Sequence, residues 1–334
     1  MSHNIKGLDG LRAICALVIM LGHIPAKTFA YWTIAHIPLP ACCAYVFFVI
    51  SGFLAGNKMT SLNSSRKYLV KKAKRLLPLY YSYILISVIV FIILKRSDEI
   101  LCPRLLYYLF LLPSIPFCAS NGIVPLVHLW FIGTLVLFYI VFAFFASLCR
   151  NKGENKTIAY AAVICIVWFC FKVLCRYLWG SDSLIYRLTG VTCFDVLFFG
   201  VIGGLIKNKH VSLFSNHANF VTIASWLLFL MSGIYGRFIP APIRVEYISL
   251  LALFIILGQQ EASFSRIVDN VFFRWLASIS YEVYVTQIIV IILLSSIFVS
   301  LNLHLSDIPI YIISVICVLI CSQIWKYVLR IAKL

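Results

Sequence analysis

Ten apolar runs, each about as long as a bilayer core is thick, follow one another along this chain and leave room for little besides a membrane bundle. They fall at 8–25, 42–57, 76–94, 126–148, 157–178, 190–206, 218–236, 245–259, 275–299 and 308–329. Of the 334 residues 63% are hydrophobic and 12% charged, and the mean hydropathy is +1.01, more apolar side chain than a water-soluble core can bury. Backbone polar groups in lipid must be satisfied within each segment, so the expected fold class is all-α, a polytopic helical bundle of about ten transmembrane helices. An eleventh run, 100–117, is broken by Pro103, Pro113 and Pro116 and carries Arg104, which predicts an interfacial or re-entrant segment. The first run leads straight into Asp9, Arg12 and His23 and lacks a small-residue cleavage site, so no cleaved leader is expected.

Charge bias gives the orientation. With the N-terminus inside and ten spans, about two thirds of the 28 lysines and arginines fall on the cytoplasmic side, so both termini are expected in the cytoplasm. The formal charge of +17 then reads as topology and contact with anionic membrane lipids, and nucleic acid is not an expected partner. The expectation is one integral membrane domain over 1–334, multi-pass in the plasma (bacterial inner) membrane, with no appended soluble domain. Twelve cysteines are scattered without paired spacing and read as small apolar residues, so no metal site is expected. Cys102 and Cys118 flank the outer segment and are candidates for a disulfide.

Ionisable residues inside such runs are costly, which makes the first helix informative. Arg12 and His23 are eleven residues apart, so they return to within about 20° of one another around the axis, roughly 16 Å apart along it. Asp9 stands one turn below Arg12, placed to pair with it. A stripe of this kind faces a cavity or a proton or substrate path; the plainer alternative is a pair that ties helices together. In the second run Ser51-Gly52 permits close approach of a helix or of a thin ligand. Lys71, Lys72, Lys74 and Arg75 crowd the inner mouth of the third, and Lys72 and Arg75 share a face that suits a phosphate-bearing ligand, or else fix topology and hold lipid headgroups.

The outer face offers weaker signals. His128 and Trp130 lie near the outer water boundary, where Trp130 serves as an interface anchor or as a platform for a sugar. Tyr31, Trp32 and His36 occupy the loop 25–40, and Arg176, Arg187, Arg237 and Arg244 sit in outer segments, solvated or holding an acidic acceptor. Asp195 begins a span whose FFGVIGG glycines predict close helix contacts. Tyr281, Glu282, Tyr284 and Gln287 enter the ninth span from inside, with Glu282 the one acid well within it. The sequons at Asn63 and Asn155 are predicted cytoplasmic and therefore unmodified.

Taken together, GLDGLRAICALVIMLGH, FFVISGFLAG, KKAKRLLPLYY, HLWFIGTLVLFY and SISYEVY, in that order, resemble the membrane-bound acyltransferase-3 family, whose members O-acylate surface carbohydrates, lipid-linked glycans and some small molecules. The family's Arg, ten residues, His pattern is met by Arg12 and His23, and its R-x-x-R pair falls on Lys72 and Arg75. Three departures stand out. Lys72 keeps the charge of an arginine and loses its bidentate fork. Leu135 and Val136 stand where many members carry a Glu-Glu pair, and Gln287 where a histidine is common.

The resemblance implies an O-acetyltransferase that uses acetyl-CoA (acyl-CoA) as donor, with no metal, and acylates a carbohydrate or lipid-linked glycan of the cell envelope. In that reading His23 is the general base, Arg12 oriented by Asp9 stabilises charge, and Lys71, Lys72, Lys74, Arg75 and Ser51 hold the donor. His128, Trp130, Tyr281 and Glu282 are the candidates for substrate contact. Direct attack and a transient acyl-histidine are both open. The competing class is a proton-coupled transporter or flippase of a lipid-linked glycan, with the same stripe as its relay.

Overall fold

The computed structural model describes residues 5, 7–24, 39–62, 64–208, 214–235, 238–239, 241–263, 267–303 and 305–332. Tyr31, Trp32, His36, Asn63 and Arg237 lie outside them. Among the described residues there is no strand, and every apolar run has become helix, as the need to satisfy backbone groups without water requires.

In chain order the helices are α1 (Leu8–His23), α2 (Leu39–Asn57), α3 (Ser65–Ile93), the short α4 (Ser97–Ile100), α5 (Leu105–Leu109) and α6 (Ser114–Cys118), then α7 (Trp130–Cys149) and α8 (Glu154–Trp179). After these come α9 (Leu184–Thr192), α10 (Phe194–Asn208), α11 (Ala218–Tyr235), α12 (Ala241–Glu261), α13 (Val271–Ser300) and α14 (Asp307–Ile331). A 3-10 turn, Val124–Leu129, leads into α7. Among the described residues eight segments are long and apolar enough to cross a membrane, so this is a multi-pass membrane protein.

Of the ten expected spans, eight meet the length and composition of a membrane span over the described residues, and the other two runs are α1 and α11. α1 has 16 residues and spans about 24 Å, short of a bilayer core of about 30 Å, and it carries Asp9 and Arg12. α11 contributes an apolar stretch described over Ala218–Ser232. The segment 97–118 forms the three short helices α4 to α6, as its prolines predict. Cys102 and Cys118 are both free thiols: Cys118 is buried at the end of α6 and Cys102 packs against the core from the turn before α5.

Short as it is, α1 is central. It packs against α2 and α13 and buries Leu11, Ala13, Cys15 and Met20 completely. Its N-cap, Gly7, adopts a left-handed φ of 69°, open to glycine without strain. Gln259 of α12, fully buried, anchors that end: in the amide orientation that satisfies both neighbours it donates to the Gly7 carbonyl (3.1 Å) and accepts from Trp226 Nε1 (3.0 Å). By contrast only 17% of the apolar window of α8 or α14 is buried, which puts both at the periphery.

α2 and α10 are the most intimately packed pair. A Cβ on Gly52 would fall on the Leu197 carbonyl oxygen, one on Gly56 on that of Val201, one on Gly200 on that of Val49 and one on Gly204 on that of Phe53. Two G-x-x-x-G faces thus meet backbone to backbone, the geometry that small residues permit in a membrane. Gly52 is a packing residue, and its neighbour Ser51 is left facing the other way, toward the site.

Candidate active site

Five helices converge on a narrow inner cavity with a free volume of about 80 Å³. Arg12 of α1, Ser51 of α2, Lys72 and Arg75 of α3, Tyr139 of α7 and Tyr281 of α13 all line it. The local reasons are visible in sequence. Ser64 caps α3 by accepting from Lys67 N (3.3 Å), which starts the helix in the register that turns Lys72 and Arg75 to one face. Lys72 Nζ lies 4.2 Å from the Tyr139 ring centroid and 5.4 Å from that of Tyr68, so aromatic faces hold the ammonium without a carboxylate. Tyr281 donates to the Leu76 carbonyl at 2.8 Å and pins α13 to α3 beside Pro78.

Arg12 is tethered loosely at both ends of its fork. Nη1 stands 3.6 Å from Asp9 Oδ1, the pairing expected one turn away, and Nη2 donates to Ser280 Oγ at 3.4 Å. Glu282, half-buried on α13, feels Lys326, Arg75 and Arg12 and lies beside the cavity rather than in its lining. Lys71 and Lys74 are exposed and outside the lining, so of the four basic residues two face inward.

His23 opens onto a different, outer cavity of about 680 Å³, shared with Arg96, Val124, Val127, Ile288 and Ile291. Its Nδ1 lies 2.7 Å from the Ile19 carbonyl oxygen. A carbonyl only accepts, so Nδ1 carries the hydrogen and a neutral ring presents its lone pair at Nε2. At the cavity wall the Arg96 guanidinium pairs with Glu99, Nε to Oε1 at 2.5 Å and Nη2 to Oε2 at 2.7 Å.

Between the two cavities lies a buried partition. Tyr284 lines the inner cavity and Ile288 the outer one; on α7 and its leading turn Phe131 lines the inner cavity and Val127 the outer. His128 and Gln287 fall between these levels. His128 donates from Nε2 to the Val285 carbonyl (3.0 Å), accepts at its own carbonyl from Tyr284 Oη (2.5 Å), and is packed by the rings of Tyr83 and Tyr284 at 5.4 and 5.6 Å. Its Nδ1 is buried without a partner. Gln287 is 0% exposed, and neither its amide oxygen nor its nitrogen has a partner. Three unpaired polar atoms at one level of a membrane interior are costly.

His128 is thus buried within the bundle, 3% exposed, held from α13 by Val285 at Nε2 and by Tyr284 at its backbone carbonyl. Trp130 lines neither cavity: its ring stacks on Phe117 at 5.1 Å and meets Phe48 edge-on at 5.9 Å. Ser280 and Tyr139 line the inner cavity without having been singled out in the sequence, and Tyr284, noted there only as entering the ninth span, lines it too. Their signal was present in α13, where Ser280, Tyr284, Gln287 and Ile291 follow at helical spacing along one face. Among the described residues no group of His, Cys, Asp and Glu is arranged to hold a metal.

Residues 5–325 match the acyltransferase domain family called acyltransferase 3. The chain belongs to that family. It is also 27% identical over 215 residues to a Bacillus subtilis (strain 168) protein named "Putative peptidoglycan O-acetyltransferase YrhL". The match covers 58% of this chain and 32% of that relative, so the chain spans about a third of that relative's length. No solved structure matches it.

Proposed function

We propose that this acyltransferase moves an acetyl group from cytosolic acetyl-CoA through the bundle to a hydroxyl of a cell-envelope carbohydrate, with His23 as general base. The observation that carries the reading is the inner cavity, where Arg12, Lys72 and Arg75 from two helices meet Ser51 and Tyr281 inside a membrane bundle. Cations so placed match a phosphorylated donor. A slot of about 80 Å³ takes a thin chain and leaves a nucleotide outside, on the face that also carries Lys71 and Lys74.

A pantetheine arm carries two amides that need partners once water is left behind. The unpaired atoms of His128 and Gln287 stand where such an arm crosses from the inner to the outer cavity. Beyond them His23 Nε2 takes the proton from an acceptor hydroxyl as its oxygen attacks the thioester carbonyl carbon. The C–S bond breaks, and the thiolate leaves with the proton from His23. Arg12 is the cation nearest the donor's inner end, steadied by Asp9 and Ser280. The named relative makes peptidoglycan the first acceptor to try. The orientation has both termini in the cytoplasm of the plasma membrane, so that basic residues lie inside.

The test is transfer in proteoliposomes. Labelled acetyl-CoA supplied on the basic side should give acetylated glycan with wild type and none with His23→Ala. Acetyl label that ends in free acetate alone, whatever glycan is offered, would end the reading.

A further inference from the structure

A third cavity, of about 690 Å³, adjoins the His23 cavity through a shared wall, Val124 and Val127. Its size is within the range of about 300–1,000 Å³ usual for small-molecule sites. Tyr45, Ser120, Tyr186, Arg187 and Gly190 line it, and Lys172 forms part of its floor. None of these belongs to the donor cavity.

The charges are arranged to favour an anion at the mouth and not at the floor. Lys172 is 5% exposed, donates to Asp195 Oδ2 (2.6 Å) and is also bound to Glu246, so two carboxylates already satisfy its ammonium. Arg187 is different. Its Nη1 donates to Ser120 Oγ (2.7 Å) and to the Cys118 carbonyl (3.3 Å), which fixes the guanidinium at the rim. Its one carboxylate partner is Asp182, 3.2 Å away with a side chain 91% exposed, and a pair that open to water is readily exchanged for an incoming carboxylate. Arg176 adds a second cation, its guanidinium 5.8 Å from the Tyr186 ring centroid.

Gly190 supplies the free space. It lies inside α9, its φ is not positive, and a Cβ built on it would meet nothing within 4 Å. The chain therefore leaves a side-chain-sized vacancy on a helix facing aromatic and hydroxyl groups, the lining that sugars favour.

We infer that this cavity is the acceptor site and that it takes a carboxylate-bearing sugar, its acid on Arg187 and its ring over Gly190, with a hydroxyl reaching past Val124 and Val127 toward His23. The inference rests on the acyl-transfer reading above and names the acceptor's chemical class.

Binding and transfer are measured separately to keep the two apart. A labelled uronate-containing oligosaccharide and its carboxyl-reduced neutral form are titrated, without donor, against the full chain in nanodiscs. Acetyl-CoA binding is followed in parallel. Wild type should prefer the acidic form; Gly190→Trp should weaken binding of both at least tenfold, and Arg187→Gln should lose the preference for the acid while keeping the neutral form. Acetyl-CoA binding should be unchanged in both. Wild-type affinity in Gly190→Trp, or a preference for the acid that survives Arg187→Gln, overturns the assignment. Glycan binding that is lost in Gly190→Trp, in a protein that transfers no acetyl group, would keep the cavity and remove the transferase reading instead.

Discussion

Arg12 Nη2 donates to Ser280 Oγ at 3.4 Å, and eleven residues further along each of their helices His23 and Ile291 line one outer cavity. α1 and α13 therefore run side by side in the same direction, matching level for level from the basic cavity to the imidazole. The first three predictions below follow from that alignment.

His23→Ala should reduce acetyl transfer at least about 100-fold, the lower end of what a positioned general base contributes. His23→Gln should do the same, since an amide keeps hydrogen bonding and loses basicity. Retention of a tenth of wild-type transfer in either variant, with normal membrane insertion, would remove His23 from that role.

Lys72→Gln and Arg75→Gln should each raise KM for acetyl-CoA by roughly ten- to a hundredfold, the worth of one charge-assisted hydrogen bond at about 1.5–3 kcal/mol. Lys71→Gln and Lys74→Gln should change it less than threefold, because both side chains point away from the cavity. Equal effects across the four would mean a diffuse electrostatic surface in place of a donor site.

Gln287→Leu separates stability from activity. Removing two buried unpaired amide atoms should stabilise the protein by about 1–3 kcal/mol, read as a higher Tm in detergent. The same change should slow transfer while acetyl-CoA still docks on the basic face. A variant that is more stable and fully active would show that the partition is not crossed at Gln287.

Lys172→Met leaves Asp195 and Glu246 buried without their counter-ion and should cost about 3–5 kcal/mol. Thermal unfolding with and without the compensating change Asp195→Leu measures this. If the single variant is as stable as wild type, the three groups do not act as one buried network.

The packing of α2 on α10 makes a prediction of its own. Gly52→Ala and Gly200→Ala each put a methyl group against a carbonyl oxygen of the partner helix and should destabilise by about 1–3 kcal/mol. Gly153→Ala, where a Cβ meets open space, is the control and should be near neutral.

Much of this site was legible because charge in an apolar run is costly enough to mark itself. Arg12 and its Asp9 partner stand out that way, Lys72 and Arg75 by their crowding at the inner mouth of the third run, and the structure gathers Arg12, Lys72 and Arg75 around one cavity. The glycines of FFGVIGG likewise announced the α10 contact with α2. What stayed hidden depended on partners distant in the chain. His128 looks like a boundary residue until Val285, 157 positions away, accepts its Nε2 hydrogen. Lys172 looks like a stray cation near the end of a span until Asp195 and Glu246 close on it from α10 and α12. Asp9 and Arg12 in the first apolar run also become intelligible only with their neighbours in place: α2 and α13 pack against the 16-residue α1 and make its charges tenable.

The interlocked glycines of α2 and α10 carry a mechanical consequence. Two backbones meshed at four points behave as a single stiff stave, and Ser51 is mounted on it. Widening a passage for a substrate cannot come from that wall without unmeshing all four. On the transfer reading proposed above, the give therefore belongs to the opposite side, where Tyr284 and Gln287 ride on α13 and His128 leads into α7, moving against a fixed rail.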